Sequence, residues 1–501
     1  MEAINKIIIL GGGTSGLMSA LMLKRQFAHI DIQVIESSSI GVIGVGEGAT
    51  EHWKNFCETI GVRLEDTMVA CNATLKNAIK FSDWGVPDYY HATCEPYARQ
   101  FGDYMAVYAK MIADGDSPLE IIQKRVINST VPAEWTDGYG PCPVNQFHFN
   151  TFATNDYLHK LCAERNIPTI DDKITKVELD NNGNISTLIG SKDSYTADFF
   201  VDCSGFAKVL MKELGAEWIS YKENLWLNSA IAFPTEDTEE YPIYTNATAM
   251  DAGWMWNTPV HGRWGNGYVF CDKYIDFDQA QAEVEAKLGK KINIAKKIKF
   301  DAGRLNKFWI KNCASVGLSS SFIEPLESSA ISQGVLQTFL IMNLLGSWQN
   351  NNEEIAELYN NKVNAICDNI LDFVSVHYYV PKDNTPFWKD LKENRDSWMT
   401  DSLKSNLRKW SKRLPLALDF DQSYSLFTAD NWLVTLHGLG LLDVNSAKQE
   451  YNMLPPEARA YCDAVVNEER HLENTLPSLP HKEGLEKFIK KYKEVYSNEN
   501  K

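Results

Sequence analysis

The chain has 501 residues, 44% hydrophobic and 23% charged, a globular composition too long for one simple domain. Its formal net charge of −17 argues against nucleic-acid binding, which needs a basic face to neutralise phosphate. Ten cysteines are scattered with no CxxC pair, so neither a zinc site nor a disulfide scaffold is signalled, and a reducing compartment is expected.

In chain order, Lys6-Ile7-Ile8-Ile9-Leu10 is a nearly continuous apolar run that breaks at Gly11. That is the pattern of a strand covered on both faces, not of a secretory segment. A helix over 17–27 and a strand over 30–35 follow. Together they open a doubly wound α/β fold. Residues 85–150, rich in Tyr, Pro, Asp and Gly, read as an inserted excursion with short helices. Residues 154–164 read as a helix that Asn155 helps to cap. Residues 171–205 read as a β-meander with a turn at Asn181-Asn182-Gly183-Asn184, ending in a strand over 198–202. Strands recur over 225–275, including 267–271, and 328–345 reads as a buried helix. The rest is mainly helical, with candidates at 353–376, 457–473 and 485–496. The apolar stretch 335–345 contains Gln337, Thr338 and Asn343 and is too short to span a bilayer, so a cytoplasmic protein without a membrane segment is expected. The expected organisation is a discontinuous module of 1–84 with 151–345, an inserted substrate-side segment over 85–150, and a mainly helical module over 346–501.

Gly11-Gly12-Gly13-Thr14-Ser15-Gly16 spells GxGxxG between the first strand and the first helix. Gly11 permits the tight turn, Gly13 lets the backbone approach a pyrophosphate, and Gly16 allows close helix–strand packing. The anion would sit on the helix N-terminus, beside Thr14 and Ser15. Glu36, twenty residues after Gly16, ends the second strand, where a carboxylate can accept hydrogen bonds from ribose hydroxyls. This joint pattern predicts dinucleotide binding. Two later segments favour FAD over NAD. Asp198–Asp202 runs into Cys203-Ser204-Gly205, as a strand returning to the cofactor would. Asn312-Cys313-Ala314-Ser315-Val316-Gly317-Leu318 reads as a strand entering a turn that presents the amides of Gly317 and Leu318 to a flavin ring. With a single dinucleotide fingerprint, electrons are expected from a separate NAD(P)H-dependent flavin reductase.

Gly253-Trp254-Met255-Trp256-Asn257-Thr258-Pro259 places two tryptophans on one strand face. The segment resembles the WxWxIP signature of the flavin-dependent halogenases, the tryptophan halogenase family. Cys71 to Phe81 with Trp84 resembles the family's catalytic lysine segment, and Ser319 to Ser328 its glutamate–serine segment. Gly262 to Tyr268, His377 to Trp388, Gly438-Leu439-Gly440 and Leu476-Pro477-Ser478-Leu479 also resemble family segments. The resemblance runs in order from about residue 5 to 480.

The resemblance implies an FAD module of the monooxygenase type joined to a mainly helical substrate module. It also implies an enzyme in which reduced FAD and oxygen oxidise halide to hypohalous acid, which reaches the substrate through an internal tunnel. By the same resemblance, Lys76 holds or carries the halogen. Glu327 orients it or takes the proton of the arenium intermediate, and Ser328 helps hold the halogenating species. The amides of Ser329 and Ala330 bind halide. Trp254 and Trp256 shield the tunnel. Gly46 and Glu47 join the cofactor-binding set. No metal is implied. Ala330 stands where the family usually has glycine; its methyl would crowd the halide site or change its backbone angle, and because bromide and iodide are more easily oxidised than chloride, a site poor at chloride would still run on them. Lys80 and Glu324 are the neighbouring alternatives to Lys76 and Glu327; on a helix Lys76 and Lys80 would share a face.

The family's tryptophan-specific members sandwich the indole between a histidine, a phenylalanine and a tryptophan. Here His91 matches the histidine, Thr93 stands in place of the phenylalanine and Phe427 in place of the tryptophan, with Gln422 near the position of an acid that binds the ammonium. One stacking face is lost. An indole, phenol or pyrrole other than free tryptophan is therefore the expected substrate. The rival readings are an FAD-dependent aromatic hydroxylase, which has no need of Lys76 or of the paired tryptophans, and a flavoprotein sensor without turnover, which leaves Lys76 and Glu327 without a task. A homo-oligomer is compatible with the sequence.

Overall fold

A computed structural model describes residues 4–41, 47–92, 104–116, 124–136, 142, 144, 146–348, 352–420, 424–475 and 477–496. The chain divides into two compact units. The first comprises Met1–Ala73, Phe149–Asn228 and Lys299–Leu371; the second comprises Thr74–His148, Ser229–Ile298 and Asp372–Lys501.

In the first unit the apolar run becomes the strand Lys6–Leu10, with Ile7, Ile8 and Ile9 wholly buried. It lies parallel between Asp31–Glu36 and Phe199–Asp202, with Ile8 opposite Gln33 on one side and Phe200 on the other. Thr169–Asp171 extends the sheet beyond Asp31–Glu36, and Cys313–Ser315 extends it beyond Phe199–Asp202; both pairings are parallel. Only the edge strand Trp309–Ile310 is antiparallel. A parallel sheet needs cover on its faces. The helix Thr14–Gln26 helps to supply it, packed against Thr151–Glu164 and Ser329–Leu344. The expected α/β doubly wound fold is therefore present. The meander forms the antiparallel strands Ile174–Leu179 and Ile185–Gly190, and the Asp180 carboxylate accepts the amides of Asn182 and Asn184 to close the turn.

The start expected at Thr154 differs from the one observed. The helix is Thr151–Glu164, and its cap is Asn150, whose Oδ1 accepts from the amides of Phe152 and Ala153. Asn155 lies inside the helix, buried, and donates from Nδ2 to the carbonyl of Gly12 at 2.9 Å. Its task is to hold the glycine loop.

The second unit is built on a seven-stranded sheet in the order Lys296–Lys299, Ser229–Thr235, Arg263–Phe270, Gly253–Val260, Tyr244–Met250, Ala78–Ser82 and Tyr89–Ala92. Tyr244–Met250 and Ala78–Ser82 pair in parallel, with Tyr244 opposite Ala78. Helix Phe277–Leu288, opened by an Asp276–Gln279 capping box, buries Ala280 and Val284 against Ile231, Phe233, Met255 and Tyr268. Helices including Asp401–Trp410, Ala429–Gly438, Pro456–Thr475 and His481–Tyr496 complete the unit. The division differs from the one read in sequence. Residues 229–298 go with 74–148 because their strands hydrogen-bond to Ala78–Ser82. Strand patterning signals that a strand exists but not which strand it pairs with. Among the described residues no helix is long and apolar enough to cross a membrane.

Candidate active site

The glycine loop has the geometry of a dinucleotide cradle. Gly11 adopts φ +125°, and a Cβ there would stand 2.1 Å from the carbonyl oxygen of Cys203, at the end of the returning strand. A Cβ on Gly16 would meet the Gly11 carbonyl at 1.9 Å. Gly13 is the contrast: a Cβ there has nothing within 4 Å. The loop thus needs Gly11 and Gly16 for its own packing, whereas Gly13 faces open space at the N-terminus of a 13-residue helix. That arrangement fits a pyrophosphate. Gly317, at φ +71°, sits against Ser15, where a Cβ would approach the Ser15 Oγ to 2.4 Å; its amide, expected to face a flavin ring, instead donates to Gln337 Oε1 at 2.9 Å. Gly11, Gly13, Thr14, Ser15, Gly16, Gly317 and Leu318 are therefore gathered at one end of the parallel sheet. Glu36 ends its strand against Gly12, and His159 Nε2 stands 3.4 Å from its carboxylate. Burial raises the Glu36 carboxyl; His159 opposes that and Asp171 adds to it. His159 was not legible as a partner, being one more polar position on a helix. Glu47 lies in a short strand, Glu47–Gly48, and Gly46 lies outside the described residues.

The glutamate–serine segment leads into the helix Ser329–Leu344. Glu324 and Glu327 are both buried. Ser328 takes φ 53° and ψ 31°, a left-handed conformation uncommon for a residue with a Cβ, and its side chain does not cap the helix. The first amides of the helix, Ser329 and Ala330, are thereby left without a side-chain cap from Ser328, and Ala330 is exposed. Uncapped N–H groups at a helix start suit an anion.

In the second unit Lys76 closes the strand Thr74–Lys76, opposite Gln146, with no solvent exposure. The strand is fixed by two histidines that the sequence reading did not single out. The Thr74 hydroxyl donates to the Pro259 carbonyl at 2.7 Å, so its oxygen accepts from His148 Nδ1 at 3.1 Å. His148 Nε2 then accepts from the Thr245 hydroxyl at 2.7 Å. His481 Nε2 accepts from the Leu75 amide at 3.1 Å, and its Nδ1 donates to the Pro242 carbonyl at 3.2 Å. Each ring has one donor and one acceptor nitrogen in use, which is the neutral imidazole. Burial, then Lys76 and His481, push His148 well below its ordinary range; burial lowers His481 to about 4. Lys80 is a different kind of lysine. It lies on Ala78–Ser82, a second strand rather than a shared helix face, with Nζ 3.0 Å from Asp88. Burial pulls Lys80 down, but the hydrogen bond to Asp88 leads the effects that raise it above its usual value.

These histidines carry an expected result. Below an unfolded pKa of about 6.5 the unfolded chain binds protons that the folded chain refuses. Their contribution is thus present above about pH 6.5 and is lost as pH falls towards 4, by about 3 kcal/mol for His481 alone. Urea midpoints measured from pH 8 to 4 are expected to fall through that window. His481→Gln, which cannot titrate there, should fall less steeply between pH 6.5 and 5; an unchanged slope contradicts this.

Trp254 and Trp256 lie on Gly253–Val260, both buried, with ring centroids 6.1 Å apart. Trp256 faces Gly267 on the next strand, and a Cβ on Gly267 would stand 2.0 Å from the indole. The glycine of the Gly262-to-Tyr268 segment is thus the space that Trp256 fills.

The chain matches the tryptophan halogenase family model over residues 6–453. It belongs to that family. The tryptophan 6-halogenase SttH of Streptomyces toxytricini is 28% identical, over 95% of this chain and 97% of its own. The crystal structure of SttH superimposes with a TM-score of 0.86 at 26% identity, covering 96% of this chain and 100% of the other. BrvH, a flavin-dependent halogenase from Brevundimonas sp. BAL3, superimposes with a TM-score of 0.81 at 27% identity, over 96% of this chain and 99% of its own.

In this tryptophan halogenase family member, the residues expected on the substrate side fall in an aromatic cluster of the second unit. His91 is buried, and its Nε2 accepts from Asn431 Nδ2 at 3.1 Å. Its ring lies 5.0 Å from Phe373 and 6.0 Å from Phe427. Phe427 is brought to His91 as expected, but one face is taken: Phe373 stacks on it at 4.0 Å and 16°. Trp432 meets Phe373 edge-on at 5.0 Å. Phe373, Asn431 and Trp432 are helical positions whose periodicity marks them only as core. Thr93 and Gln422 lie outside the described residues.

Proposed function

We propose that this flavin-dependent halogenase makes hypohalous acid from halide and oxygen, and that the acid passes through an internal tunnel to Lys76, which presents the halogen to an electron-rich arene other than free tryptophan. Bound FAD, reduced by a separate reductase, would supply the two electrons and two protons that, with one further proton, turn oxygen and halide into hypohalous acid and water. The loop at Gly11, Gly13, Thr14, Ser15 and Gly16, with Glu36, Gly317 and Leu318, would hold it; Gly46 and Glu47 complete the set by resemblance.

The observation that carries the reading is the full burial of Lys76 beside two histidines locked neutral. Away from water, an N–H of Lys76 holds the hypohalous oxygen and polarises the O–X bond. The arene attacks the halogen, and hydroxide leaves with a proton from the ammonium, as water. Glu327 takes the proton released from the arenium. Ser328 holds the halogenating species and the amides of Ser329 and Ala330 hold halide, while Trp254 and Trp256 wall the tunnel. With the halide site altered by the Ala330 methyl, bromide and iodide are the expected halides because they are more easily oxidised than chloride. A free-tryptophan site is disfavoured because Thr93 stands where the tryptophan-specific members have a stacking phenylalanine, so one face of the sandwich is lost.

The test is a single assay with a generic flavin reductase, FAD, each halide in turn and a panel of indoles, phenols and pyrroles, read by mass. The expected products carry bromine or iodine, with chlorination about tenfold or more slower and free tryptophan a poor substrate. Products that carry only oxygen would replace this reading with an aromatic hydroxylase.

A further inference from the structure

Lys76 sits on a strand of only three residues, Thr74–Lys76, paired with Gln146–Phe149 along one edge. The Leu75 amide has neither a strand nor a turn as acceptor; it donates to His481 Nε2 at 3.1 Å, a ring from the first residue of the helix His481–Tyr496. His481 itself is tied at three further points. Its Nδ1 donates to Pro242, its own amide donates to Ser129 at 3.0 Å, and its ring meets Tyr241 edge-on at 6.1 Å. Asn77, just past the end of the strand, donates its amide to the Ile243 carbonyl at 2.7 Å. The stretch Pro242 to Ile243 thus holds the lysine segment twice, once directly and once through the His481 ring.

We propose that His481 is a positioning residue for Lys76: by accepting the Leu75 amide it fixes the backbone from which the lysine ammonium is aimed. The proposal rests on the reading of Lys76 as the residue that presents the halogen. His481 lies past residue 453, where the family match ends. A role as the base that deprotonates Lys76 is ruled out by hydrogen-bond accounting, since both ring nitrogens are already engaged. The same holds for His148. An aiming role is what a rigid neutral acceptor can supply. A displacement of about 1 Å in a reacting group is enough to cost about 10²-fold in rate.

The test uses the full chain with FAD, a flavin reductase, bromide, the best arene of the panel and methionine to trap escaped hypobromous acid as sulfoxide. His481→Ala is expected to lower brominated arene per flavin oxidised about 10²-fold, with the KM for arene and the rate of flavin oxidation within about twofold and sulfoxide rising in place of product. His481→Gln, whose Oε1 can stand where Nε2 stood, is expected to restore the yield to within about fivefold of the parent. A purely structural histidine would lower flavin oxidation and product together. The positioning role is overturned if His481→Ala keeps its yield, if Gln does no better than Ala while both retain a cooperative melt, or if neither variant folds. Lys76→Ala separates the two readings. If it still brominates, the reading of Lys76 fails and takes this one with it. If it is inactive beside a fully active His481→Ala, only the positioning role fails.

Discussion

Lys76→Ala is expected to lose halogenated product by about 10³-fold or more while reduced flavin is still oxidised at close to the parental rate. The two effects separate because flavin oxidation is assigned to the residues around the glycine loop, in the first unit, and presentation of the halogen to Lys76, in the second. Hypohalous acid formed in the variant has no N–H to hold it and escapes, so methionine sulfoxide should account for the missing product. Alanine leaves a cavity in a fully buried strand, so a loss of stability could confuse the result. Lys76→Met narrows that ambiguity, because it keeps most of the side chain's volume and opens no large cavity. The same loss of product in a variant that still melts cooperatively is the expected outcome. Retained halogenation in the methionine variant would show that the ammonium is not used.

The second large effect concerns Gly11 and Gly13, two residues apart in the glycine loop but unlike in what surrounds them. Gly13→Ala should leave the free protein as stable as the parent, because the new methyl meets nothing within 4 Å and the backbone is at an ordinary φ of −76°. It should weaken FAD about 10²-fold or more, because the methyl occupies the space through which a pyrophosphate approaches the helix start. Gly11→Ala should damage both properties: its methyl would meet the Cys203 carbonyl at 2.1 Å, and φ is +125°. Titration of each free variant with FAD, alongside thermal melts, checks this. Equal FAD affinity in Gly13→Ala and the parent would contradict the assigned cradle.

The opening of the fold was legible because its signal is local. A five-residue apolar strand, a glycine turn and a helix lie within one stretch, and the strand Lys6–Leu10 and helix Glu353–Val376 match their expected bounds. The helix Thr14–Gln26 begins three residues earlier than expected. Its cap is Gly13, with no side-chain cap bond, so the usual Ser, Thr, Asp or Asn marker is missing. Asn155 misled for the opposite reason: a capping residue type stood within the helix and bonded to a distant loop. The assignment of 229–298 to the first module failed because cross-strand partners are set by tertiary pairing. In the site, the glycine loop and Glu36 announced themselves through spacing, and the glutamate–serine turn and the tryptophan pair through their resemblance to the halogenase segments. His148 and His481 did not. Each is a single histidine in a short strand or at a helix start, and its relation to Lys76 exists only once strands from three parts of the chain are assembled. Phe373 was hidden for a similar reason, as one apolar position in a long amphipathic helix, although it decides which face of Phe427 is free.

The proposal that the halogen reaches Lys76 within the protein rather than through bulk water is tested most directly by competition. Brominated arene formed per flavin oxidised is measured while free methionine, a bulk trap for hypobromous acid, is raised to large excess over the arene. The yield is expected to stay constant, with little sulfoxide. A yield that falls in proportion to added methionine, with sulfoxide replacing product, would contradict internal delivery.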